Sequence, residues 1–365
     1  MKYELDYHFH AKKGWINDPN GLCYFKGKYH LFYQHNPHDV IWDTMHWGHA
    51  VSEDLIHWEE LPIALYPDMP YESSDGCFSG SAIIHNDEMW LFYTSVSEEL
   101  GQTQSLVISK DGYTFEKYPG NPIIKNVPED GTQKDFRDPK VFEHGGHFYM
   151  VTGTCKGELA RVLLFRSEDL LNWEYRGILY ESDEFLPVIE CPDLFPVGDK
   201  WVLAFSIMRR PEKSVALAIG DFKDEKFILE EISFLDRGPE SYAPQSFLAP
   251  DGRRILIEWM NNWKFKRMPH DTFAGAFTVP REIFFNERNR LCLFPVREAR
   301  HLLVKEDKDV VVAPDSVTVT AGKEPVVFEG KVDSVDILRD NECVEVFING
   351  GEEVITVYEL WGKCW

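Results

Sequence analysis

The sequence predicts an all-β chain, a five-bladed β-propeller followed by a short, truncated β-sandwich-like domain. Two repeats that interleave through the first 300 residues predict the propeller, and a change of composition after about Arg300 predicts the second unit. The expected division is residues 1–299 and residues 300–365.

The first repeat reads SEDLIHWEEL from Ser52, SKDGYTFEKY from Ser109 and SEDLLNWEYR from Ser167, with starts 57 and 58 residues apart. A weaker fourth copy, GDFKDEKFILEE, begins at Gly220. The second repeat reads GKYHLFYQ, DEMWLFYTS, GHFYMVTG, DKWVLAFS and GRRILIEWM, anchored at Lys28, Glu88, His147, Lys200 and Arg253, in steps of 60, 59, 53 and 53. Each copy is an apolar and aromatic run behind a Gly- or Asp-containing turn, the pattern of a strand that follows a hairpin. Five such units suit five propeller blades, a ring that leaves no long exposed sheet edge. A β-sandwich with accidental similarity is the competing fold, and two series with nearly the same period disfavour it.

Beyond Arg300 the segments DVVVAP, SVTVTAG, PVVFEG, VDSVDILR, ECVEVFING and EEVITVYEL read as short alternating strands. A unit this small is marginal alone. It is expected to pack on the propeller or on a second chain.

Composition narrows the function. A net charge of −23 repels phosphate backbones and anionic membranes, so neither nucleic acid nor lipid is an expected partner. The opening MKYELDYHFHAKKGW has no apolar run, so no signal peptide is expected, and no stretch is long and apolar enough to span a membrane. Seven scattered cysteines without a CxxC pair fit reduced thiols in the cytoplasm and suggest no zinc site. No cofactor is expected. Aromatic residues make up 14% of the chain, which suits core packing and also the stacking of sugar rings.

The polar residues fall in register with the repeat. Asp18, in GWINDPNG, precedes its anchor by 10 residues, Asp138, in FRDPKVF, by 9, and Glu190, in ECPDLF, by 10. The other two units place Ser79 and Gln245 near this position. In a propeller such positions converge on the axis. Asn-Asp-Pro-Asn-Gly is also a strong turn sequence, so Asp18 alone reads as a turn former. Three carboxylates in one pocket are another matter, because their repulsion opposes folding and such a cost marks function. Glycoside hydrolysis needs two carboxyl groups, one at the anomeric carbon and one protonating the leaving oxygen. The donor's proton affinity must be raised by burial or by a neighbouring anion, and Asp18 close to Glu190 would do so. Metal binding is the rival chemistry, but no DxDxDG loop is present.

WINDPNG, FRDP and the Glu-Cys of ECPD together resemble glycoside hydrolase family 32, the β-fructofuranosidases. The resemblance covers residues 7–300 and extends to FYQHNP, MHWGHAVSEDLIHW, GCFSGSA, YAPQSF, IEWMNNW and TVPREI. It implies a propeller followed by a sandwich, and double displacement with retention on sucrose, sucrose 6-phosphate or short fructo-oligosaccharides. Asp18 looks like the nucleophile, Glu190 like the acid/base, and Asp138 like the carboxylate that holds fructose hydroxyls in the transition state.

By the same resemblance, Asn17, Gln34, Trp42, Phe78, Ser79, Arg137 and Trp259 would bind the ring. Arg137 would fork to a carboxylate or to hydroxyls, or merely orient Asp138 by an ion pair. Tyr242 and Cys191 would tune Glu190, although Cys191 is equally a buried structural thiol. Trp263 would wall the space beyond the cleaved bond, or is simply core. His46, His49 and His57 read as structural histidines. Lys264, Lys266 and Arg267 would meet a 6-phosphate, or form a solvated basic loop. Exo-inulinase, levanase or fructosyltransferase activity remains open on this fold, as does a non-catalytic sugar-binding propeller. The C-terminal domain is shorter than the family's usual sandwich, and a second protomer is the expected cover for its apolar face.

Overall fold

The structure, a computed structural model, describes residues 5–208, 213–234, 236–260 and 272–358. Five antiparallel sheets form the blades of a propeller. Their innermost strands are Gly14–Phe25, Gly76–His85, Phe136–His144, Ile189–Val197 and Ser241–Leu248, and each touches the next, the fifth returning to the first.

The second repeat is the second strand of each blade: Lys28–Asn36, Glu88–Ser97, His147–Lys156, Lys200–Ile207 and Arg254–Met260. These strands are covered on both faces, which explains their continuous apolar and aromatic runs. Tight turns precede them. Lys26-Gly27, Asn86-Asp87 and Gly145-Gly146 have positive φ at both central residues, the conformation that matches the twist of a two-residue hairpin.

The first repeat is the turn from the third to the fourth strand. Ser52 Oγ receives the Leu55 N–H at 2.8 Å, Asp54 Oδ1 receives the His57 N–H at 2.8 Å, and the Trp58 indole donates to the Leu55 carbonyl. Ser167, Asp169, Leu170 and Trp173 repeat the arrangement, and Ser109 and Asp111 repeat its first half. The weaker fourth copy falls at the same connection but closes in two residues, Asp224 and Glu225, both at positive φ.

The ring is closed by a short parallel pairing. Phe273–Ala274, reached after the second strand of the fifth blade, lies beside Gly14 and Trp15 at the start of the first innermost strand. The Gly14 N–H donates to the Thr272 carbonyl at 2.8 Å.

A single 3-10 turn, Arg297–Leu302, leads out of the fifth blade. Two three-stranded sheets follow, Val310–Ala313, Ser316–Val319 and Val326–Glu329 in one, Val335–Asp340, Cys343–Ile348 and Glu353–Tyr358 in the other. Val317, Val319 and Phe328 of the first share a buried cluster with Ile337, Val344, Val346 and Ile355 of the second. The unit packs on the propeller. Leu338, Phe347 and Val354 join the core of the fourth and fifth blades. Fully buried Arg281 donates to Glu258 at 2.6 Å, to Asp236 at 3.0 Å and to Glu345 at 3.0 Å, and His8 bridges Asp340 at 2.8 Å and Glu345 at 2.9 Å.

Candidate active site

One local device recurs near the start of every innermost strand. The pairing register slips between Asn17 and Pro19, Cys77 and Gly80, Arg137 and Lys140, Glu190 and Asp193, and Tyr242 and Gln245. A bulge of this kind turns a side chain out of the ladder and is where a strand tolerates proline. Pro139, Pro192 and Pro244 lie inside three of these slips, and Pro19 pairs with Tyr33 at the edge of the first. Asp138, Cys191 and Ala243 take φ of 62°, 49° and 49°, a left-handed conformation that costs energy in a non-glycine residue and gathers at functional sites.

Counting back from the second strands puts Asp18, Asp138 and Glu190 in one position, but the ladder separates two adjacent positions. Asp18, Phe78, Asp138, Cys191 and Ala243 are the bulged residues, and Asn17, Cys77, Arg137, Glu190 and Tyr242 stand just before them. Glu190 therefore shares its position with Arg137 and Tyr242 on the two flanking blades. Those two residues hold it. Arg137 Nε and Nη2 donate to Glu190 Oε1 at 3.2 and 3.0 Å, and the Tyr242 hydroxyl donates to Oε2.

Cys191 links the three carboxyl groups. It follows Glu190 in the chain, its N–H donates to Asp138 Oδ2 at 2.8 Å, and its thiol donates to Asp18 Oδ2 at 3.6 Å. The thiol thus meets Asp18 rather than the Glu190 carboxyl. Burial, then the surrounding anions Asp18, Asp138 and Glu190, hold its pKa well above the usual thiol range, so it stays protonated.

Asp18 Oδ2 also accepts the Ser79 hydroxyl at 2.6 Å, whereas Oδ1 is buried and accepts no hydrogen bond among the described residues. Burial raises the Asp18 pKa, the Ser79 hydroxyl and the Asn17 amide oppose the rise, and the Glu190 charge adds to it. Asn17 is fixed by the Trp15 indole, which donates to its side-chain oxygen at 2.7 Å. Asp138 is pushed up to about 7, by burial first, with Arg137 opposing and Glu190 and Asp18 adding. Burial works against the Arg137 charge, and Glu190, Asp138 and Asp135 overcome it. Burial and Glu190 raise the Tyr242 pKa.

The remaining expected residues fall into two groups. Trp42 is 38% exposed and stands edge-on to half-buried Phe78 at 6.1 Å, an open aromatic corner beside Ser79. Gln34, by contrast, is buried and donates to the Cys77 carbonyl at 2.9 Å. Trp259 is 0% exposed, edge-on to Trp15 and Tyr242 at 5.7 and 6.2 Å, so it backs the wall rather than facing the pocket. Gln245 ties the first and second blades, receiving the Leu22 N–H and donating to the Gly80 carbonyl. Trp263, Lys264, Lys266 and Arg267 lie outside the described residues.

His46, His49 and His57 each find a partner within the fold. His49 pairs with His30 at 3.0 Å and stacks on Phe32, burial pushes it down to about 3, His46 meets the Thr44 carbonyl, and exposed His57 pairs with Asp54. Sequence reasoning missed Thr94, whose hydroxyl receives the Asp138 N–H at 2.9 Å, and Gln102 and Asp135, which accept from Arg137 Nη1 at 3.2 and 2.9 Å. The alternating polar run GQTQS was the available signal for Gln102.

Residues 8–295 match the family model of the glycosyl hydrolases family 32 N-terminal domain. The chain belongs to glycosyl hydrolase family 32. Among the family 32 relatives, a sucrose-6-phosphate hydrolase of Zymomonas mobilis is 34% identical over 92% of this chain and 69% of its own length. A levanase of Bacillus subtilis is 35% identical over 90% of this chain, which spans 52% of that protein. The structure of a Bombyx mori family 32 β-fructofuranosidase mutant in complex with sucrose superposes with a TM-score of 0.83 at 31% identity, over 98% of this chain and 89% of that one. The family assignment makes the protein a glycoside hydrolase. Among its described residues, no helix is long and apolar enough to cross a membrane.

Proposed function

We propose that the protein is an exo-acting, retaining β-fructofuranosidase that hydrolyses the terminal β-D-fructosyl bond of sucrose, sucrose 6-phosphate or short fructo-oligosaccharides. The observation that carries this reading is the division of labour between the two carboxyl groups beside Cys191. Asp18 has one oxygen tethered by Ser79 and one buried oxygen without a donor among the described residues, while Glu190 lies between Arg137 and Tyr242.

In this mechanism the Asp18 carboxylate attacks C2 of the fructosyl unit. The bond from C2 to the leaving oxygen breaks, and that oxygen takes the proton of Glu190. Glu190, now a carboxylate, removes a proton from water, the water oxygen attacks C2, and the ester bond to Asp18 breaks. Two inversions at C2 give retention. Asp138 does not react. Its carboxyl, held by the Cys191 N–H, accepts sugar hydroxyls as charge develops. Trp42 and Phe78 offer faces to the sugar.

Incubation with sucrose, for the wild type and Asp18→Asn, tests the reading. Equimolar glucose and fructose from the wild type alone is the expected result. Equal release by both proteins would remove Asp18 from its role, and none from a folded wild type would move the substrate to another fructoside.

Fructan cleavage is the second reading, supported by relatives named as a levanase in Bacillus subtilis and a fructan 6-exohydrolase in Beta vulgaris. Rates on levan and inulin against sucrose separate the two, and kestose formation at high sucrose would mark a fructosyltransferase. On the same proposal the chain divides at residues 299 and 300 and works in the cytoplasm, where the six described cysteines, all free, stay reduced. Val311, Val312 and Val327 are exposed on the first sandwich sheet, and a second copy of the chain would cover them. Light scattering behind size-exclusion chromatography is expected to find a dimer, and a monomer at high concentration would refute it.

A further inference from the structure

Arg137 is shared between two carboxylates. Its Nε and Nη2 face Glu190, while Nη1 donates to Asp135 Oδ1 at 2.9 Å and to Gln102 Oε1 at 3.2 Å. Asp135 is held for this contact. Its N–H closes a turn onto the Thr132 carbonyl at 3.0 Å, and its Oδ2 accepts the Cys155 thiol at 3.7 Å. Gln102 Oε1 is fixed in turn by the Phe136 N–H at 2.8 Å. The guanidinium is therefore pinned from behind by the second and third blades and presents its other edge to the fourth.

The arrangement bears on proton donation. An arginine forked onto a carboxylate favours its ionised form, whereas the donor in glycoside hydrolysis must arrive protonated. We propose that Asp135 is a positioning residue for the acid step, drawing part of the Arg137 charge away from Glu190 so that Glu190 can carry a proton to the leaving oxygen. The inference rests on the assignment of Glu190 as the acid/base. Among the described residues, the titratable groups around the Arg137–Glu190 pair are Asp18 from the first blade, Asp135, Asp138 and Cys155 from the third, Cys191 from the fourth and Tyr242 from the fifth. Of the carboxylates, Asp135 is the one that reaches Arg137 from the side away from Glu190 and lies outside the three-carboxyl cluster.

The test compares the wild type with Asp135→Asn and Asp135→Glu on sucrose and on an activated aryl fructoside, across pH. Without the Asp135 charge, the full Arg137 charge falls on Glu190, and the carboxylate form gains. In Asp135→Asn the alkaline limb of kcat/KM on sucrose should therefore move down by about half to one pH unit. The loss on sucrose should exceed the loss on the aryl fructoside, whose leaving group needs no proton, and Asp135→Glu should recover both. An unmoved limb, or an equal loss on both substrates, would overturn the proposal. Asp135→Ser serves as a second charge-removing variant, and failure of both to fold would assign Asp135 to structure alone. Glu190→Ala separates the two readings. If it hydrolyses sucrose normally, the assignment of the acid falls; if it loses sucrose hydrolysis while Asp135→Asn keeps its limb, the role of Asp135 alone falls.

Discussion

Ser79 donates its hydroxyl to Asp18 across the boundary between the second and first blades, at 2.6 Å, and the other Asp18 oxygen has no donor among the described residues. The contact favours an ionised Asp18 against the burial that raises its pKa. Removing a hydrogen bond to a charged group costs about 1.5–3 kcal/mol. Ser79→Ala should therefore lower kcat/KM on sucrose by roughly ten- to a hundredfold. It should also raise the Asp18 pKa further, so the acid limb of the pH–rate profile should move to higher pH. A profile unchanged on its acid side would show that the hydroxyl serves only the fold.

Glu190 should separate leaving groups. Loss of a general acid costs about 10²–10⁴-fold. Glu190→Ala should show that loss on sucrose and a much smaller one on an activated aryl fructoside. Tyr242→Phe leaves the carboxyl in place and removes a donor that favours its ionised form, so it should spare sucrose hydrolysis far more than Glu190→Ala does. Steady-state kinetics on the two substrates read this directly.

Asp138 should trade stability for activity. Its pKa rises to about 7, mainly through burial. The folded state then holds a proton that the unfolded chain has lost, so stability falls as pH climbs from about 4 through about 7 and levels above that. Asp138→Asn keeps an oxygen to accept the Cys191 N–H but removes the buried charge. It should raise Tm in mildly alkaline buffer, with little gain in acid, while depressing kcat more than KM. Thermal unfolding at several pH values, alongside kinetics, checks both halves.

Arg281 should anchor the second unit. It is fully buried against Asp236, Glu258 and Glu345, and its removal leaves carboxylates buried without their cation. Arg281→Met should destabilise the protein by about 3–5 kcal/mol in urea unfolding. His8 adds to the same contact. Burial opposes its charge, but Cys343, Asp340 and Glu345 raise its pKa well above 6.5. Its contribution is full below that value and is lost as pH rises through the higher folded pKa, so His8→Gln should cost more in acid than in alkali.

Much of this was legible because the propeller repeats itself. The five anchors from Lys28 to Arg253 are the five second strands, and the Ser52, Ser109 and Ser167 segments are one turn made three times. The motif residues Asp18, Asp138 and Glu190 do converge. Their exact placement was hidden because a count along the chain does not see where a strand bulges, and so could not pair Glu190 with Arg137 and Tyr242. Trp259 looked like a sugar contact because an aromatic residue reads the same in a wall and behind it. The docking of the second unit had no local signature, since His8 and Glu345 meet across 337 residues.

The short pairing of Phe273–Ala274 with Gly14–Trp15 has a bearing on biosynthesis. Asp18 leaves the ribosome more than two hundred residues before the segment that shuts the ring beside it and before Tyr242, which holds Glu190. Nascent chains fold as their units are completed. A chain synthesised only as far as the fourth blade thus carries Asp18 without the latch beside it, and the proposed hydrolytic site is complete only when the last blade is joined to the first.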